Sequence, residues 1–109
     1  MTSVNEIVDN ILREAENDSV ALWAIADPVR LDLGLSNNVD VKMRTLDVVS
    51  ELLKNGLWPG NFYGGALKIQ FWDEPDAAAC LARIDREWNV TKGDPTMIDP
   101  ICWFRSKQR

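Results

Sequence analysis

The stretch from Val39 to Leu57, VDVKMRTLDVVSELLKNGL, decides how the chain is read. Met43, Leu46, Val49 and Leu53 fall at helical spacing, Val48 and Leu52 widen the stripe, and Lys42, Arg44, Asp47, Ser50 and Glu51 occupy the other side. A helix from about Val39 to Lys54 is therefore expected, with Met43 on its core face. Asn55-Gly56 supplies a left-handed stop and Leu57 an apolar contact just beyond it. The segment Trp58 to Gly65 then carries Pro59, Gly60, Gly64 and Gly65, too many breakers for regular structure. From Ala66 to Trp72, Leu67, Ile69 and Phe71 alternate with Lys68, Gln70 and Trp72, which predicts a half-buried strand with Trp72 on its outer face.

Toward the N-terminus, Ser3 and Glu6 have the spacing of a capping box, and the apolar residues Val4, Ile7, Val8, Ile11, Leu12 and Ala15 predict a helix to about Glu16. Asn17, Asp18 and Ser19 break it and cap a second helix through Val20, Leu22, Trp23 and Ile25. Asp27-Pro28 is expected to interrupt that helix, leaving a short further turn that Gly34 ends. Toward the C-terminus, Asp73, Glu74, Pro75 and Asp76 mark a helix start, because negative charge complements the exposed N–H groups there. Ala77, Cys80, Leu81, Ile84 and Trp88 form the core stripe of this helix, Arg83 and Glu87 pair on its outside, and Gly93 closes it. Asp94-Pro95 and Asp99-Pro100 bracket a turn-rich connection, Ile101 to Arg105 add a last strand, and residues 105–109 read as a frayed basic tail. The order of elements predicts an α+β fold: a small, mainly helical domain with a short β-sheet or wing.

The chain has 109 residues, 46% of them apolar, which suits one domain (1–109) with one core and needs no disulfide or metal staple. No run approaches the ~18–20 apolar residues of a membrane span, and no signal peptide is recognisable at the N-terminus, so a cytoplasmic protein with no membrane partner is expected. Cys80 and Cys102 stand alone with no histidine in the chain, and read best as reduced, buried thiols. The net charge of -5 is unevenly spread. Residues 1–27 hold six acids against Arg13, residues 73–99 hold seven against Arg83, Arg86 and Lys92, and the middle is nearly neutral. Such a field favours a basic partner over a phosphate backbone, although solubility alone explains the same number.

Catalysis is disfavoured. Without histidine, neither Ser-His nor Cys-His activation is available. The acidic groups Asp27/Asp32, Asp73/Glu74/Asp76 and Asp94/Asp99 sit in Asp-Pro turns or at a helix start, which accounts for them structurally. No Gly-rich phosphate motif is present, and no cofactor or metal is implied. The aromatic residues are more suggestive. Trp58, Phe62 and Tyr63 lie in the breaker-rich segment and Trp72 on the outer strand face, where they serve either as interface anchors or as plugs over the core.

The middle of the chain, from about residue 19 to 72, resembles the helix-turn-helix and wing of winged-helix domains. The residues that carry the resemblance are Trp23, the helix 39–54, and the ending Leu52-Leu53-Lys54-Asn55-Gly56-Leu57 ahead of a Gly-rich approach to a strand. It implies a transcriptional regulator or DNA-binding accessory module, with helix 39–54 as reader and residues 58–72 as wing. Lys42, Arg44 and Lys54 are opposed on that helix by Asp40, Asp47 and Glu51, so nucleic acid is the less favoured partner. In size, acidity and lack of catalytic groups the chain is similar in general character to the immunity proteins of bacterial polymorphic and contact-dependent toxins. That similarity implies a non-enzymatic inhibitor that occludes a basic toxin or nuclease. Trp58, Phe62, Tyr63 and Trp72 would be its anchors, and Asp73, Glu74, Asp76, Asp94 and Asp99 would mimic phosphates. A plain scaffold or assembly subunit remains a third use.

Overall fold

A computed structural model describes residues 3–62, 69–90, 93, 95–96 and 100–106. In chain order the elements are α1 (Val4–Ala15), β1 (Val20–Ala21), α2 (Leu22–Asp32), α3 (Asn38–Lys54), β2 (Leu57–Asn61), β3 (Gln70–Phe71), α4 (Ala77–Val90) and β4 (Trp103–Ser106). Four helices and a four-stranded antiparallel sheet of order β1-β4-β2-β3 make it the mainly helical α+β domain that the patterning predicts.

Capping chemistry sets the helix starts. Glu6 N donates to Ser3 Oγ ahead of α1, and Val39 N and Asp40 N donate to Asn37 Oδ1 ahead of α3. Ala79 N donates to Asp76 Oδ1 at the start of α4. At the far end of α3, Gly56 has φ +91°, a conformation that needs glycine although the space around it is open. Around α2 two expectations do not hold. α2 runs through Pro28, because Ile25, Ala26 and Val29 are buried and their packing outweighs the backbone bond that proline removes. The residues before α2 form β1, since Val20 and Ala21 pair with Phe104 and Trp103.

The breaker-rich segment is likewise regular up to Asn61. β2 pairs with β4 from Leu57 to Gly60, and Pro59 O accepts from Trp72 N just past the end of β3. The donor that Pro59 lacks would point to that same side, where the β3 ladder has already ended. Gly60 is required by contact: a Cβ there would lie 2.5 Å from Gln70 O. The tail expectation also fails at Arg105, which pairs with Trp58 in β4, a strand inside the sheet. Residues 107–109 lie outside the described residues, as do Ala66, Leu67 and Lys68 of the predicted strand.

α3 packs against α1, α2 and α4, and this fixes which of its faces is dry. Val41, Thr45, Val48, Val49, Leu52 and Leu53 are buried, Leu46 is half-buried and Met43 is exposed. The buried arc is thus rotated from the expected stripe by contact with three helices, and it takes in Thr45, whose Oγ1 has no hydrogen-bond partner among the described residues. Leu22, Ile25, Val29, Ile84, Cys102 and Phe104 complete the centre of the core.

Candidate functional site

The aromatic and acidic candidates near residue 72 meet at Trp72, just past β3, which touches Asn61 and Trp58 of β2 on one side and Arg83 of α4 on the other. Trp72 is only 5% exposed, a correction to its expected outer position. Its indole Nε1 donates to Asn61 Oδ1 at 2.6 Å, its carbonyl accepts from Trp58 Nε1 at 3.2 Å, and the Arg83 guanidinium lies 3.8 Å above its ring. Arg83 donates to Glu74 Oε1 at 2.8 Å and to Glu87 Oε2 at 2.7 Å. Burial alone would lower the pKa of Arg83, but the hydrogen bonds and charges of Glu87 and Glu74 outweigh it and the net shift is upward. The cluster is a fixed cation clamped by two carboxylates.

Asn61 ties the same cluster to the chain before β4. Its Nδ2 donates to Ile101 O at 2.8 Å, and Ile101 has φ 65°, an outlying conformation for a β-branched residue. Cys102 N donates to Pro100 O at 2.7 Å across that tight turn, and Leu22 N donates to Cys102 O. Neither Asn61 nor this turn stands out in the sequence, because an amide and a β-branched residue carry no periodic signal.

The other candidates are dispersed. Phe62, partly exposed, meets Trp103 edge-on with ring centroids 5.5 Å apart. Trp58 is half-buried against the core, closer to a plug than to a free anchor. Asp73 and Asp76 are exposed, and Asp76 uses one oxygen as a helix cap. Glu74 is bound to Arg83. Tyr63, Asp94 and Asp99 lie outside the described residues.

Charge is distributed differently from the expectation. Within the acidic segment after residue 72, Glu74 and Glu87 are paired with Arg83, and Asp85 with Lys42. On α1 and just after it, Glu6, Asp9, Glu14, Glu16 and Asp18 are exposed, with no ion pair among the described residues. The cations of α3 are neutralised: Lys42 by Asp85, Arg44 by Asp47 and Lys54 by Glu51.

Among the described residues no three His, Cys, Asp or Glu side chains are grouped to hold a metal ion. Cys80 and Cys102 are both buried, and burial pushes the Cys102 thiol well above its ordinary value, with the charge of Glu87 adding to the effect. No helix among the described residues is long and apolar enough to cross a membrane. Neither family models, nor curated proteins, nor solved structures match this chain.

Proposed function

We propose that this chain is a non-catalytic inhibitor of a basic protein, of the immunity-protein kind, acting by occlusion. The observation that carries the reading is the surplus of exposed carboxylates on α1 without ion pairs, set against α3 cations that are already neutralised internally. Such a surface steers a basic partner during encounter, since the summed field acts before contact forms. The steering surface is accordingly placed on α1 and Asp18, with Asp73 and Asp76 as a smaller contribution. A DNA-reading use of α3 is the alternative. It has to contend with Lys42, Arg44 and Lys54 bound to carboxylates and with a helix packed against three others.

The reading is tested with the product of the adjacent gene, the natural place for a toxin neutralised by an immunity protein. A 1:1 complex that abolishes that protein's activity is expected, with an association rate that falls as salt rises. Asp9→Lys with Glu14→Lys should slow association about tenfold at low salt and flatten its salt dependence. Salt-dependent binding to duplex DNA with no effect on the neighbouring protein would replace this reading with the regulator.

A further inference from the structure

Asn55-Gly56, the stop of α3, is the one place in the chain where glycine follows asparagine. The pair is chemically labile because glycine has no side chain to shield its N–H, and the asparagine side-chain carbonyl carbon can reach the next backbone nitrogen. When Gly56 N attacks Asn55 Cγ, the N–Cγ bond forms and the Cγ–Nδ2 bond breaks. Nδ2 leaves as ammonia, taking the proton from Gly56 N. Water then opens the five-membered imide. Cleavage of the new N–Cγ bond leaves aspartate, whereas cleavage of the original peptide bond leaves isoaspartate, with the main chain rerouted through Cβ. Water is the only co-reactant, and no oxidant enters.

Solvent reaches the pair, since Asn55 is exposed and Gly56 half-buried, yet the fold holds the reacting atoms apart. Asn55 Nδ2 donates to Glu51 O at 2.7 Å, one turn back along α3, whereas ring closure requires Cγ to swing forward over Gly56 N. The nucleophile is engaged as well: Gly56 N donates to Leu53 O at 3.3 Å. Asn55 N donates to Glu51 O at 3.2 Å and to Leu52 O at 3.0 Å, which fixes the backbone between the two groups. Just beyond, Leu57 is buried and pairs with Ser106. All of the acceptors belong to the last turn of α3, and helix ends are where local opening costs least.

We propose that Asn55 is a site of spontaneous deamidation, and that the end of α3 holds the reaction off until its last turn unwinds. The product weakens the stop that delayed it. An acid at position 55 no longer donates to Glu51 O, and it stands at the negative end of α3. Glu16 and Arg105 line the depression that Asn55 borders and offset one another as neighbours of the new charge, and Lys54 is already paired with Glu51, so the carbonyls of the helix end decide the sign. Isoaspartate also lengthens the main chain by one atom, two residues before Leu57 meets Ser106 at the start of β2. The proposal is independent of what the protein binds.

The test incubates the full chain in mildly alkaline buffer, with and without concentrated urea, and follows aspartate and isoaspartate at each asparagine by peptide mapping and mass spectrometry. Asn55 should convert about tenfold or more slowly in the folded chain than in urea, with Asn17 and Asn61 lagging behind it in both. Leu57→Ala removes the buried contact just past the stop and leaves both reacting residues in place, so it should bring the folded-chain rate toward the urea rate. Should that variant fail to fold, urea below the unfolding transition supplies the same loosening in the native chain. Asn55→Asp should lower the urea midpoint. Equal rates at Asn55 in folded and unfolded chains, or a native rate in a folded Leu57→Ala variant, would overturn the gating. Conversion led by Asn17 or Asn61 would overturn the site, and an Asn55→Asp chain as stable as the native one would overturn the weakening of the stop.

Discussion

The seam around Trp72 and the end of the molecule around Val39 and Met43 make opposite use of their side chains. At the seam the polar atoms of Trp72, Asn61, Arg83, Glu74 and Glu87 are bonded to one another, so conspicuous aromatic and acidic residues are used up in holding β2, β3 and α4 together. At the end, Val39 and Met43 belong to a helix whose dry face lies elsewhere, and they meet solvent although their chemistry suits a core. The contrast teaches that conspicuous residue types are poor guides to a surface. An apolar residue that the core does not need is the better one.

Substitutions can sharpen or break this contrast. The largest effect is expected at the seam, where Trp72→Ala should destabilise the fold by about 3–5 kcal/mol in urea melts, similar to Trp88→Ala. A loss below 1 kcal/mol would mean that Trp72 is dispensable to the core and would return it to the list of surface anchors. Asn61→Ala should cost about 1–3 kcal/mol, since it leaves the Trp72 N–H and the Ile101 carbonyl without this partner. Thr45→Val should stabilise the protein by about 1 kcal/mol, because it replaces a buried hydroxyl that has no hydrogen-bond partner among the described residues with a methyl group. A destabilised Thr45→Val variant would show that the hydroxyl has found a partner, the carbonyl four residues back being the obvious one. At the apolar end, Val39→Gln with Met43→Gln should change stability by no more than about 0.5 kcal/mol, since both side chains already meet solvent. Equal losses at the two regions would erase the distinction between them.

Cys102 gives a pH test of burial at the same seam. Its thiol is raised in the folded state, so above the ordinary value of 9.0 the unfolded chain ionises while the folded chain stays protonated, and stability falls with rising pH. The contribution is complete below that value and is lost as the pH climbs toward the folded-state pKa. Urea midpoints of Cys102→Ala should therefore decline less steeply between pH 9 and 10 than those of the native chain. Identical slopes would mean that the thiol reaches solvent.

The sequence by itself determined the helices whose ends carry local chemistry, α1 by Ser3, α3 by the Asn55-Gly56 stop and α4 by Asp76 and its stripe, and with them the α+β class. Caps and a glycine of φ +91° act over a few residues, so they are legible in a few residues. Tertiary structure decided the rest. β2 is a strand despite Pro59 and Gly60 because β4 lies beside it, and α2 survives Pro28 because Ile25 and Val29 are buried. Which acids are free was equally illegible, since Lys42 finds Asp85 across 43 residues of chain and Arg83 finds Glu74 from another element. The dry face of α3 follows the same rule: periodicity marks an apolar stripe, but only three neighbouring helices fix the buried arc, and their positions put Thr45 inside and Met43 outside.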